Sequence, residues 1–195
     1  STVEHLMAAL YGEGIDNALV EVNASEIPIL DGSASEFVEA IRAVGVKEQS
    51  ALRQFIKVEK KIKIRDGEKF ISIEPSNNDL IIDFEIVYRN PLIRTRRKEF
   101  KLSQDKLTEI YNSRTFCLYE DIDFIKSKGL AKGGSLDNAI VVKEDKVLNK
   151  EFISPLFEFS ISTLFCILIE FMNMKRLNFH SCNNTKFSQF TFFSI

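Results

Sequence analysis

The sequence predicts an α+β fold, and three local patterns carry that expectation. Ser33 and Glu36 stand at capping-box spacing ahead of an apolar stripe of Phe37, Val38, Ile41 and Val44, with Gly45 as the stop. Asp66-Gly67 forms a hairpin turn between two runs rich in isoleucine. Leu80, Ile82, Phe84, Ile86 and Tyr88 alternate with Asp83 and Glu85, the period of a strand with one buried face.

The remaining elements follow in chain order. Ser1 and Glu4 form a first capping box, and Val3, Leu6, Met7 and Leu10 recur at helical spacing, so a helix is expected to about Tyr11, where Gly12 and Gly14 stop it. Ala18 to Val22 reads as a strand, and Pro28-Ile29-Leu30-Asp31-Gly32 as a tight connection into the Ser33 helix. The hairpin runs from Phe55 to Ile64 and returns from Phe70 to Glu74. Ser103 is placed to cap a helix bearing Leu107, Ile110 and Tyr111; a shorter helix holds Ile122 and Ile125 before Gly129, and Ala139 to Val142 is a strand. Ile15-Asp16-Asn17-Ala18-Leu19-Val20 returns as Leu136-Asp137-Asn138-Ala139-Ile140-Val141, which suggests two related modules divided near Lys47 to Ala51.

With 195 residues, 45% of them hydrophobic, the chain can bury one ordinary core or two small ones. A net charge of -2 gives no overall case for nucleic acid or an anionic membrane, so any charged partner must be met locally. Arg94-Thr95-Arg96-Arg97-Lys98 is the one basic run; it lacks the aromatic interleaving of a nucleic-acid binder and is expected to be a solvated loop between strands. Cys117, Cys166 and Cys182 are odd in number and widely spaced, which fits a reducing cytoplasm better than a disulfide framework. The opening Ser1 to His5 has no initiator Met and no basic or apolar leader pattern, and reads as a chain entered partway through.

Composition shifts near residue 152: the segment from Phe152 onward holds ten of the 17 Phe residues and neither Gly nor Asp. Ile153 to Met174 is apolar but broken by Glu158 and Glu170, too short a clear run for a membrane-spanning helix of about 20 residues. Asn183 to Phe187 and Phe190 to Phe193 hold no sustained period, so the tail reads as foreign to the rest, and its removal is expected to improve solubility.

Glu4-His5 at a helix start pairs a potential base with a potential metal ligand, but a lone His in a helix is more often a packing residue, and a catalytic zinc takes three protein ligands. Context changes the weighting. Ser1-Thr2-Val3-Glu4-His5-Leu6, Gly14-Ile15-Asp16-Asn17, Glu26 to Ser33, Ser113-Arg114-Thr115-Phe116 and Gly129-Leu130-Ala131-Lys132-Gly133-Gly134-Ser135 stand in the order of the landmarks of the zinc-dependent UDP-3-O-acyl-N-acetylglucosamine deacetylases of lipid A synthesis, and the chain resembles that family from Ser1 to Glu151.

The resemblance implies a two-domain β-α-α-β sandwich with both domains incomplete: residues 1–48 as the later part of the first, 49–151 as the early part of the second, and 152–195 as a divergent tail. It implies that His5 is a zinc ligand, that Glu4 is the general base acting on zinc-bound water, and that Thr115 lies near the oxyanion. Phe116 would contact substrate, and Ile122, Ala131, Gly134, Ser135 and Val141 would border an apolar passage for the acyl chain. Without the resemblance Thr115 is a loop cap, Phe116 a small core anchor, and Gly133-Gly134 a plain turn lacking any phosphate-loop spacing. The family's H-K-x-x-D helix, bearing two further zinc ligands, and its G-H-A-L-N segment are missing here, and His180 matches neither. The function expected of the family is release of acetate from UDP-3-O-acyl-N-acetylglucosamine; the alternative is a catalytically inactive remnant.

Overall fold

A computed structural model describes residues 3–52, 58–76, 80–102, 107–114, 116–149 and the backbone of 188–194. These form two compact units, one drawn from Ser1–Glu48 and Leu107–Lys175, the other from Gln49–Lys106 and Arg176–Ile195. The units interleave the chain, because the segment after residue 106 packs with the first 48 residues.

The first unit holds helices α1 (Glu4–Gly12), α2 (Ser35–Val44), α3 (Leu107–Tyr111) and α4 (Ile122–Ser127), and a small sheet of β5 (Phe116–Leu118), β6 (Ile140–Lys143) and β7 (Lys146–Val147). β5 and β6 are parallel, with Phe116 level with Ile140 and Cys117 with Val141; β7 returns antiparallel to β6. The buried side of α1 is His5, Ala8 and Ala9, and the two alanines leave room for α2 and α3 to pack closely. Glu13 joins three helices: it accepts both guanidinium bonds of Arg42 on α2, at 2.8 Å each, and the Tyr111 hydroxyl of α3 at 2.9 Å. Burial, together with the bond to Glu13, keeps that phenol protonated well above the ordinary tyrosine range.

α2 starts two residues after the expected cap. Its first turn has Ala34 at the cap position with no side-chain cap bond, while the Ser33 hydroxyl accepts from Ser35 N–H at 3.1 Å, one residue earlier than the Glu36 N–H of a capping box. Gly45 ends the helix at φ 74, as its sequence position predicts. Of the predicted stripe Val38 is buried, whereas Val44 stands exposed.

The expected strand at Ala18 to Val22 does not form. Leu19, Val20 and Val22 are exposed and lie in irregular backbone, because an extended segment becomes a strand only when a neighbour takes its N–H and C=O groups. The second copy of the repeat leads into β6, the first into no strand, so the two copies are not equivalent.

The second unit is a five-stranded sheet in the order β1-β2-β8-β3-β4, built from β1 (Ile62–Asp66), β2 (Lys69–Pro75), β3 (Ile81–Val87), β4 (Thr95–Lys101) and β8 (Ser188–Ser194). The β1–β2 hairpin turns at Gly67, φ 57, with Ile62 level with Ile73 and Ile64 with Ile71. Ile73, Leu80, Ile82, Ile86, Ile93 and Phe100 are its buried apolar residues. The basic run Thr95 to Lys98 is part of β4 rather than a loop: Arg97 forms a two-pronged pair with Asp83, at 2.8 and 2.6 Å, and Arg96 donates to the Ile93 carbonyl at 3.0 Å. That pair also explains why Asp83, expected on the wet face of β3, is buried.

The last described residues of the tail join this sheet. They lack a period of their own, yet 188–194 form the central strand, antiparallel to β2 and parallel to β3, with Phe190 level with Ile73 and Ile82 and Phe192 with Ile71 and Phe84. Pairing on both edges supplies the order that local pattern did not, and truncation before 188 removes a central strand along with the apolar tail. Thr191→Pro, which deletes one ladder donor in that strand, is expected to cost about 3 kcal/mol and to speed amide exchange throughout β2 and β3. Unchanged protection of both strands would show the segment to be dispensable.

Candidate active site

The site is best built from the turn that precedes α2. Leu30, φ 51, and Gly32, φ 84, fold residues 29–32 back so that Gly32 N–H donates to the Ile29 carbonyl at 2.9 Å. A Cβ at Gly32 would lie 1.8 Å from the Asn138 carbonyl oxygen, so glycine is required there both for its φ and for the close approach. The turn is thereby pressed against the segment leading to β6.

Asp31, in the middle of this turn, is its electrostatic centre. One carboxylate oxygen accepts from Ser33 N–H at 3.0 Å and from the Ser33 hydroxyl at 2.8 Å; the other meets the Arg114 guanidinium, which also donates through Nε to the Asp31 carbonyl at 2.8 Å. Partial burial opposes ionisation of Asp31, but the Ser33 bonds and Arg114 together outweigh it and hold the carboxyl below its ordinary range. Arg114 precedes Thr115, so a pair separated by 83 residues in sequence anchors the Ser113-Arg114-Thr115-Phe116 motif on the Asp31-Gly32-Ser33 motif. A bond from Ala34 N–H to the Tyr111 carbonyl, 2.8 Å, and one from the Ser113 hydroxyl to the Glu109 carbonyl, 2.7 Å, complete the join.

His5 lies in the first turn of α1 with 2% of its surface exposed, and neither ring nitrogen has a hydrogen-bond partner. Burial drives its pKa below the ordinary histidine value, against the opposing pull of Glu4 and Asp31, so the ring is neutral at pH 7. A neutral, buried imidazole with two unused nitrogens, within electrostatic reach of Glu4 and Asp31, has the chemistry of a metal ligand. Ligand number is a separate matter: among the described residues no group of three His, Cys, Asp or Glu side chains could hold a metal ion. The residues described thus fit one ligand of a zinc site and do not fit a whole one.

Glu4 adjoins His5 on the same turn, partly exposed. Thr115 lies outside the described residues. Phe116 is half-buried at the start of β5, and Val141 is buried in β6, one register position further along the neighbouring strand. Ile122 is half-buried at the start of α4, while Ala131, Gly134 and Ser135 are exposed in the turn that follows. Asn138 organises that turn, accepting from Ser135 N–H at 2.8 Å and donating to the Gly133 carbonyl at 3.0 Å. Asn149, buried, accepts from Val141 N–H at 2.8 Å and donates to the Leu136 and Ala139 carbonyls.

Asp31 and Arg114 stand inside two of the landmark motifs, and nothing in the local sequence marks them as partners. Asn149 carries no signal beyond its place after Val147-Leu148. Its work is to satisfy backbone groups, which spacing does not reveal.

The family model for UDP-3-O-acyl N-acetylglycosamine deacetylase matches residues 1–159. A protein of Actinobacillus succinogenes named UDP-3-O-acyl-N-acetylglucosamine deacetylase is 47% identical over 154 residues, 77% of this chain and 50% of the relative. Those of the same name from Haemophilus ducreyi and Syntrophus aciditrophicus are each 42% identical, over 154 residues (77% of this chain) and 160 residues (82%), again covering 50% of each relative. The chain spans about half the length of the curated relatives it matches.

Asp31→Asn is expected to cost about 1–2 kcal/mol at neutral pH, the scale of a charge-assisted bond in a partly screened setting. Because the folded carboxyl is held low, its contribution is present above the unfolded value of about 4 and is lost as pH falls through the folded value. Urea unfolding of both proteins should therefore show the gap to wild type closing on acidification below that range.

Proposed function

Because the chain belongs to the UDP-3-O-acyl N-acetylglycosamine deacetylase family, we propose that its site serves zinc-dependent hydrolysis of the N-acetyl group of UDP-3-O-acyl-N-acetylglucosamine, a cytoplasmic step of lipid A synthesis that releases acetate. The observation that carries the reading is His5, buried beside two carboxylates with both ring nitrogens unpartnered. When bound, the metal supplies an activated water and a charge for the developing oxyanion. His5 would hold it by one nitrogen, and Glu4 would take the proton of the attacking water. Thr115 would donate to the oxyanion; Arg114, held by Asp31, would fix the backbone from which that hydroxyl projects. Phe116 would pack against the substrate, with Ile122, Val141 and the small residues Ala131, Gly134 and Ser135 bordering the acyl chain. The parent architecture would be a two-domain β-α-α-β sandwich divided near residue 48, with 152–195 as a divergent tail.

A second reading, a catalytically inactive remnant of that enzyme, is favoured by the ligand count: His5 supplies one bond to a metal that needs three, and the described residues provide no such trio. Zinc content after equilibrium dialysis, measured with acetate release, separates the two. Retained stoichiometric zinc and turnover are expected of the first reading, with His5→Ala abolishing both and Glu4→Ala sparing zinc while lowering turnover by a hundredfold or more. Zinc lost on dialysis together with no acetate release decides for the remnant.

A further inference from the structure

From Phe124 to Leu136 the first unit exposes a continuous stretch that differs in charge from the rest of the chain: Lys126, Lys128 and Lys132 with no Asp or Glu, in a protein of net charge -2. All three lysines are exposed. Among them stand large apolar side chains that face solvent, Phe124 at 64%, Leu130 at 49% and Leu136 at 48% exposure. The backbone is set by α4 and its end, where Gly129 N–H donates to the Lys126 carbonyl at 2.9 Å, Leu130 N–H to that of Ile125 at 3.3 Å, and Gly129 takes φ 71. The Lys128 ammonium sits 5.3 Å from the centre of the Phe124 ring, so cation and ring share one surface. Acidic residues lie only beyond the ends, Glu120, Asp121 and Asp123 on one side and Asp137 on the other.

We propose that this stretch is a docking surface for an anionic lipid bilayer, with Phe124, Leu130 and Leu136 entering the headgroup boundary and the three lysines meeting lipid phosphates. Charge complementarity selects the occupant. Lysines interleaved with exposed apolar side chains are the pattern of an interfacial segment, each lysine adding attraction to an anionic leaflet and each apolar group a buried area. A nucleic-acid surface would need several stacking rings and arginines, whereas the apolar groups here are one Phe and two Leu. Lys126 and Lys128 also complement the C-terminal end of α4, but Lys132 lies beyond the helix and has no such role.

The stretch also holds Ala131, Gly134 and Ser135 of the proposed acyl-chain border, so the test measures partition and not turnover and substitutes none of the three. The 195-residue chain is sedimented with vesicles of phosphatidylcholine alone or with roughly one-third phosphatidylglycerol. Expected are pelleting with the anionic vesicles at low salt, release at high salt, and at least about tenfold weaker binding for the K126E/K128E/K132E variant. Phe124→Ser, which alters no charge, should weaken binding several-fold. Circular dichroism confirms that each variant is folded, and Lys132→Glu alone, the change furthest from α4, should lower binding if the triple variant does not fold. Binding that the charge reversals leave intact would assign membrane affinity to the Phe-rich tail and overturn the proposal. So would equal partition into both vesicle types, no partition at all, or lysine-dependent binding to an oligonucleotide without binding to vesicles.

Discussion

The pairing of Arg114 with Asp31 is the constraint on which the first unit turns. Each partner stands in a segment with no regular structure of its own, and the segment of Arg114 leads into Thr115 and Phe116, which the proposed chemistry needs. Loop order normally costs conformational entropy of about 1–2 kcal/mol per residue, and here that cost is offset by concentrating bonds on one carboxylate. Asp31 takes two from Ser33 and a guanidinium from Arg114, while Gly32 beside it lets the turn touch the Asn138 backbone. A cation that reaches both the side chain and the main chain of one residue leaves the loop little freedom to slide. His5, whose imidazole senses the Asp31 charge, is tied electrostatically to the same point.

Legibility in the sequence follows the range of the interactions. Elements set by their own residues were readable: α1, α2 and its glycine stop, the Asp66-Gly67 turn with its returning strand β2, β3, α3, α4 and β6 all carry their period or their turn chemistry locally, whereas the strand expected from Phe55 begins only at Ile62 among the described residues. What failed was set by partners. Ala18 to Val22 has strand composition but no strand partner among the described residues, the basic run pairs with β3 as β4 although Arg97 stays exposed while it holds Asp83, and 188–194 became a strand through β2 and β3. β5 and β7, of three and two residues, are too short to hold a period at all.

The candidate site shows the same division. Glu4 and His5 are adjacent in sequence, and the ordered motifs around them made the resemblance specific; burial of the imidazole and the loss of both its partners belong to the fold and are visible only there. Asp31 and Arg114 lay in plain sight within two of those motifs, yet their union spans 83 residues and no local rule pairs them. Among the described residues no trio of His, Cys, Asp or Glu stands where a metal ion could be held.

The mixed pairing of 188–194 also bears on how the second unit is made. β1 to β4 come from one contiguous stretch, but the strand that separates β2 from β3 arrives last, Ile71 meeting Phe192 and Phe84 meeting the same residue from the other side. During synthesis the two inner edges stand open until the end of that strand leaves the ribosome, and contacts of such sequence separation form slowly. Two bare edges of isoleucine-rich strand are a template for the wrong neighbour. A nascent chain that has released 62–101 but not 188–194 therefore presents both inner edges to any neighbour, and in that interval edge-to-edge association competes with completion of the sheet.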